Sequence, residues 1–309
     1  MPQPFRFSVS LGGLSATELI ATAKQAEELG YSAVTLPDHL DDQAAPLIGL
    51  TAAAIATKTL RVLPLVLAND YRHPAVLAKE LASLDALSGG RLEFGLGAGW
   101  MLTDYEHTGI EHDTAGTRIA RLAESVDIIL SLLRGQDLDF EGQFYTVAGP
   151  LAPPLPVQAG GVPLMLAGGK QKMLTLAGAK ADIVGINPGL SAGVIDERAG
   201  RNATAQKTDQ KLDWVRDGAG PRFGELELHT RIHLAMITDD RDAVAAEMAP
   251  LLGISAEEAK ASPHALVGTT TECIDQIKSW RERWGISYVS IDANVMNDFA
   301  AVVEGLAGT

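Results

Sequence analysis

Asp38 and His39 stand together just past an apolar run at 32–37. They bring a carboxylate and an imidazole to one place, and a histidine there can take or give a proton near neutral pH. The same pair also reads as a loop histidine with Asp38 capping the next helix. Three other runs follow apolar segments in the same way: residues 65–69, the stretch Gly95-Leu96-Gly97-Ala98-Gly99-Trp100, and Gly168-Gly169-Lys170. The glycine triplet lacks G-x-G-x-x-G spacing and does not open into a helix, which disfavours a Rossmann phosphate loop. It reads better as a backbone surface on which a flat ligand or a phosphate can lie. Trp100 can stack on a ring there, or be an ordinary half-buried aromatic. Gly168-Gly169-Lys170 precedes a helical pattern, so amide groups at a helix start, the dipole, Lys170 and nearby Lys172 can form an anion site. The alternative is a glycine turn with exposed lysines.

Other chemistries find less support. Of the seven histidines, His229 and His233 have zinc-like spacing for a helix, but they lie in an alternating segment. Four residues along a strand separate them by about 13 Å, too far for one ion. They share a face with Arg231, which suggests a buried polar network before a barrel lining. His107 and His112 sit in a polar loop, so no metal site is expected. No G-x-S-x-G elbow is present, and Cys273 falls in a helix-capping turn rather than beside a histidine. Lys170 pairs with no evident activator, which ranks a Schiff-base lyase last.

The elements that position these residues alternate. Apolar or alternating runs predict strands at 5–11, 32–37, 60–67, 91–96, 163–167, 182–186, 228–238 and 287–292. Helical periodicity predicts helices at 15–29, 45–57, 74–88, 118–134, 170–179, 243–251, 257–261 and from 269 to Gly285. Ser15 with Glu18 and Thr269 with Glu272 make capping-box patterns. Residues 135–161 form a long connection bearing Gly142, Gly149, Pro150, Pro153, Pro154 and Pro156. Residues 187–226 break the rhythm and predict an excursion with one helix near 210–217. Eight strands joined by helices run parallel and close most naturally into a (β/α)₈ TIM barrel, with a doubly wound sheet as the competitor. In either, strand C-termini form the binding face, and the four runs above converge on one mouth. The chain is expected to be one domain, 1–309, with an insertion at about 187–226 near the C-terminal mouth.

Composition narrows the partners. The chain has 309 residues, with Lys+Arg 25 against Asp+Glu 39, a formal charge of −14. A phosphate-gripping nucleic-acid binder usually carries the opposite sign. One cysteine allows no internal disulfide. No secretory pattern opens the chain and no apolar run reaches a membrane span, so a cytoplasmic protein is expected.

The chain resembles the luciferase-like monooxygenase superfamily, and most closely its coenzyme F420-dependent oxidoreductase branch. The resemblance spans nearly the whole chain. It is carried by Ala26-Glu27-Glu28-Leu29-Gly30-Tyr31 leading to Asp38-His39; by His73-Pro74-Ala75-Val76-Leu77-Ala78-Lys79; and by Leu84-Asp85-Ala86-Leu87-Ser88-Gly89-Gly90-Arg91. It continues in Gly95-Leu96-Gly97-Ala98-Gly99-Trp100 with Tyr105 and Gly109, then Phe140-Glu141-Gly142-Gln143-Phe144-Tyr145, and Leu166-Ala167-Gly168-Gly169. The Ser-Gly-Gly-Arg to Gly-Ala-Gly-Trp block is specific for the superfamily and less so for the cofactor.

The resemblance implies a (β/α)₈ barrel holding F420, or alternatively FMN. It implies hydride transfer between F420 and a small organic substrate; the alternative is an FMN-dependent monooxygenase using O₂ and reduced flavin. A non-catalytic cofactor carrier on the same barrel is a third reading. Asp38 and His39 match an acid–imidazole pair beside the reactive ring, with His39 as proton donor or positioner. Leu65 and Val66 match a bulge behind the ring, where relatives often have a non-prolyl cis peptide. Ala68 and Asn69 match backbone contacts next to that bulge; Ala98, Gly99, Trp100 and Thr103 match further cofactor contacts; Gly168, Gly169 and Lys170 match the phosphate end of the tail. One position departs: F420-dependent sugar-phosphate dehydrogenases carry a catalytic Glu where Trp100 stands, and no carboxylate in the sequence is expected to replace it. Trp100 would make the mouth apolar and suit a larger, flatter substrate. Relatives are commonly dimers, so a homodimer is expected.

Overall fold

The computed structural model describes residues 3–149, 154–190, 193 and 197–309. Eight parallel strands build the barrel: β1 Arg6–Ser10, β2 Ala33–Leu36, β3 Arg61–Pro64 with its continuation Leu67–Ala68, β4 Phe94–Gly97, β5 Leu164–Gly168, β6 Ile183–Ile186, β7 Glu227–Arg231 and β8 Ile286–Asp292. The ladder runs from the first half of β3 through β2, β1, β8, β7, β6, β5 and β4 to the second half of β3. Its two ends are therefore pieces of one stretch of chain, and a parallel bridge from Val62 to Leu92 helps close the ring. The interruption is Leu65-Val66, whose peptide is cis.

Alternation puts one side chain of each pair on the helices and the next inside. Phe7 and Val9 of β1 join the large core under the helices. Inside, Ala33, Leu63, Leu65, Met165, Ile183 and Tyr288 form a separate cluster. Above it lies a polar layer: Ser290 Oγ meets Ser8 Oγ and, at 2.7 Å, His229 Nε2. Burial first, then the charges of Arg6 and Arg231, hold His229 down to about 3, so its imidazole is neutral. At the N-terminal end, Arg6 reaches Glu93 Oε1 at 2.6 Å and Glu227 Oε2 at 2.5 Å, while Arg61 Nε shares Glu93 at 2.6 Å. The Arg6 guanidinium also lies 4.2 Å from the Tyr288 ring centre. This ionic plug floors the barrel.

Local signals act as expected at helix starts. Ser15 and Glu18 cap Ala16–Glu28 reciprocally, as do Thr269 and Glu272 for Thr270–Trp284. Three expectations are corrected. The alternating run at 228–238 is two strands: the Ile232 amide still reaches Ser290 O, but His233 and Leu234 turn to His264 O, and Leu234–Ile237 pairs with Ala265–Gly268 outside the barrel. Among its described residues the excursion holds two α-helices, Glu197–Asn202 and Ala205–Ala219, rather than one. The 135–161 connection contains a hairpin, Phe140–Glu141 with Thr146–Val147; Pro150 and Pro153 lie outside the described residues.

Candidate active site

Parallel strands put all their C-termini at one end. The four runs singled out above lie at the tips of β2, β3, β4 and β5, which are neighbours in the barrel.

Asp38 follows β2 and is clamped. Its Oδ2 accepts Arg72 Nη1 at 2.6 Å and the Ala68 amide at 3.0 Å, and its Oδ1 accepts Arg72 Nη2 at 3.1 Å. A bidentate guanidinium with a backbone donor is strong, directional anchorage. The carboxylate therefore ties the β2 tip to the β3 tip instead of pairing with its neighbour His39. It also takes up the Ala68 amide.

The carboxylate on His39 is Asp104, with Oδ2 at 2.9 Å from Nδ1. Asp104 is buried on Leu102–Thr108, a helix that sequence reading passed over. It places a carboxylate four residues after Trp100, engaged with the imidazole. The Trp100 ring stands perpendicular to the imidazole, with ring centres 5.5 Å apart at 90°. Thr103, one residue before Asp104, faces solvent.

The glycines of β4 serve the chain itself. A Cβ on Gly95 would fall 2.4 Å from Pro64 O and 2.8 Å from Val66 Cγ1; one on Gly97 would fall 2.7 Å from Val66 Cγ2. They make room for the bulge, which leaves the partly exposed Val66 next to the mouth. Gly99 has φ +74°, and a Cβ there would overlap the Tyr105 hydroxyl at 1.8 Å. Arg118, buried in the apolar stripe of Ala115–Leu133, donates Nε to Ala98 O at 3.1 Å and Nη2 to Gly99 O at 3.4 Å, fixing this loop.

Asn69, at the β3 tip, donates Nδ2 to Tyr145 Oη at 3.2 Å, while its buried Oδ1 has no partner among the described residues. Beside it opens a cleft of about 410 Å³ lined by Tyr71, Arg72, His73, Arg121, Phe144 and Tyr145.

At the β5 tip, Gly168 and Gly169 permit close packing: a Cβ would fall 2.4 Å from Met173 Cγ and 2.5 Å from Pro188 and Gly189, respectively. Lys170 is exposed at the start of Gln171–Lys180. Lys172 Nζ lies 3.4 Å from the Cβ position of Gly116, at the start of Ala115–Leu133. Among the described residues neither lysine has an ion-pair partner. The excursion reaches back to the β4 side, where Gly193 O accepts the Leu102 amide at 3.3 Å.

Sequence reading thus located the strand tips but missed Asp104, Arg72, Tyr71 and Arg118. The available signal was an arginine, Arg118, opening a mostly apolar helical face.

Comparison with known proteins agrees with this architecture. A coenzyme F420-dependent tetrahydromethanopterin reductase from Methanopyrus kandleri superposes with a TM-score of 0.78 over 99% of both chains at 18% identity. A monooxygenase from Streptomyces bottropensis superposes with a TM-score of 0.74 at 23% identity, covering 97% of this chain and 99% of that one. In sequence, an F420-dependent glucose-6-phosphate dehydrogenase from Nakamurella multipartita is 31% identical over 256 residues, 79% of this chain and 71% of that protein. The luciferase-like monooxygenase profile matches residues 3–264, and this chain belongs to that family.

Proposed function

We propose that the protein is an oxidoreductase that uses coenzyme F420 to move a hydride to or from a small organic substrate. The observation that carries this reading is the convergence of His39, the Leu65-Val66 bulge, Trp100 and Lys170 on adjacent strand tips. The sequence relative named as F420-dependent supports the choice of cofactor.

The residues present fit such a group. Leu65, Val66, Ala68 and Ala98 offer a mostly apolar wall for a flat ring, and the unpartnered Asn69 Oδ1 offers an acceptor at its edge. Gly168, Gly169, Lys170 and Lys172 suit an acidic tail. When bound, F420 supplies a ring position that takes or gives a hydride. The chain's own work is positional and protonic. The Asp38–Arg72 clamp holds the wall, Trp100 and Gly99 narrow the mouth against water, Thr103 flanks the entrance, and His39 holds the proton that accompanies the hydride. With Trp100 at the rim, the mouth suits a larger and flatter substrate than a sugar phosphate.

Equilibrium titration with F420 and separately with FMN tests the reading. F420 is expected to bind and His39→Ala to retain that binding. Binding of FMN alone, with oxygen consumed when FMN is reduced, would replace it with the monooxygenase reading.

A homodimer belongs to the same proposal. Pro46–Ala56 carries no charged residue, yet Ile48 is 73% and Ile55 67% exposed. On the adjacent Pro74–Ser88, Val76 and Leu87 are also exposed. A helix apolar on all sides is normally covered, and a second copy supplies the cover. Among the described residues no helix is long and apolar enough to cross a membrane. The single cysteine is a buried thiol, which suits action in the reducing cytoplasm.

A further inference from the structure

We propose that Asp104 is a positioning residue that holds His39 as its Nδ1–H tautomer, leaving Nε2 as the atom that exchanges a proton at the mouth. The inference rests on the reading of His39 given above.

Three groups approach the Asp104 carboxylate. The Leu40 amide reaches Oδ1 at 3.4 Å, the Tyr71 hydroxyl reaches Oδ2 at 3.3 Å, and His39 Nδ1 reaches Oδ2 at 2.9 Å. An amide N–H can only donate, and a carboxylate oxygen has no proton to give back. The shortest contact is then Nδ1–H donating to Oδ2, which is the charge-assisted arrangement. A neutral imidazole carries one ring hydrogen, so Nε2 is left with its lone pair.

The carboxylate itself cannot wander. Its side chain is only 8% exposed. Its backbone is fixed through the amide to Met101 O at 3.2 Å and through its carbonyl, which accepts Thr108 Oγ1 at 2.7 Å. The Trp100 ring, perpendicular to the imidazole with centres 5.5 Å apart, limits its rotation. Ring plane and tautomer are thus set by Trp100 of the β4 tip and by Asp104 of the following helix, the latter 65 positions away from His39.

The test is ¹⁵N NMR of the labelled full chain, with the His39 signals assigned against His39→Gln. In the unmutated protein, above the pH at which the ring titrates, Nδ1 is expected to give the protonated signal and Nε2 the lone-pair signal. Asp104→Asn can turn an amide donor to Nδ1 and is expected to exchange the two signals. Asp104→Glu, which keeps a carboxylate, is expected to keep the original assignment. An Nε2–H tautomer in the unmutated protein overturns the proposal without any variant having to fold. Unmutated-like signals in a folded Asp104→Asn protein also overturn it. Failure of F420 to bind would count against the proposed cofactor while leaving these ring signals to decide the tautomer.

Discussion

The pair Asp38–Arg72 gives a quantitative test of how the mouth is held. The Asp38 side chain is 3% exposed and that of Arg72 is 22%. Removing the arginine leaves a buried carboxylate with only the Ala68 amide; removing the carboxylate leaves a guanidinium that still touches water. Breaking a buried pair by deleting one partner costs about 3–5 kcal/mol when the survivor is stranded. Arg72→Met should therefore destabilise by about 3–5 kcal/mol. Asp38→Asn keeps an acceptor and a hydrated partner, and should cost about 2 kcal/mol, the order of one hydrogen bond to a charged group. The double variant should fall short of the sum by about 2 kcal/mol, because the two share one interaction. Urea unfolding followed by circular dichroism measures all four proteins, read where the transition is two-state. A coupling below about 0.5 kcal/mol, or an Asp38 variant costing more than the Arg72 variant, would refute the clamp. A catalytic acid predicts a different pattern, with stability and F420 affinity intact and only turnover lost.

Gly97→Ala should destabilise by about 1–3 kcal/mol through overlap with Val66, whereas Gly160→Ala, which meets nothing within 4 Å, should stay within about 0.5 kcal/mol in the same urea unfolding measurements. Glu27 is raised by burial but more strongly lowered by hydrogen bonds from Lys58, Thr59 and Leu60, and ends at about 2 against an ordinary 4.5. Its folded pKa lies below the unfolded one, so its contribution is complete above 4.5 and fades as pH falls towards 2; the stability gap between the native protein and Glu27→Gln should narrow from pH 7 to pH 3 in urea titrations. Ile55→Glu should convert a dimer to monomer in sedimentation equilibrium, and a monomeric unmutated protein would end the homodimer proposal.

The barrel was legible because its signals are local. Alternation in Arg6–Ser10 and the apolar runs of β3 and β6 mark strands whatever lies around them. The split of 228–238 was not legible, since alternation continues through Ile232 while the backbone changes partners from Ser290 to His264. Ala265–Gly268 was equally hidden: it falls outside the strand–helix rhythm of the barrel and pairs only with Leu234–Ile237, the half of the run whose departure was itself not legible. The site followed the same division. Strand ends located His39, Ala68 and Gly168, but the contacts that define their chemistry span long separations. Asp104 is 65 residues from His39, and Arg72 is 34 from Asp38. The glycines of β4 suggested room for a ligand, yet the room is taken by Val66, a fact that only the packing of two strands reveals.

The ionic plug formed by Arg6, Arg61, Glu93 and Glu227 has a kinetic corollary. The plug and the buried side chains stacked above it close the lower end, so molecules reach the strand tips from the mouth alone. Under the proposed function, a cofactor ring seated against Val66 would lie beneath its substrate, and the expected kinetic pattern is ordered exchange in which the substrate leaves before the cofactor can.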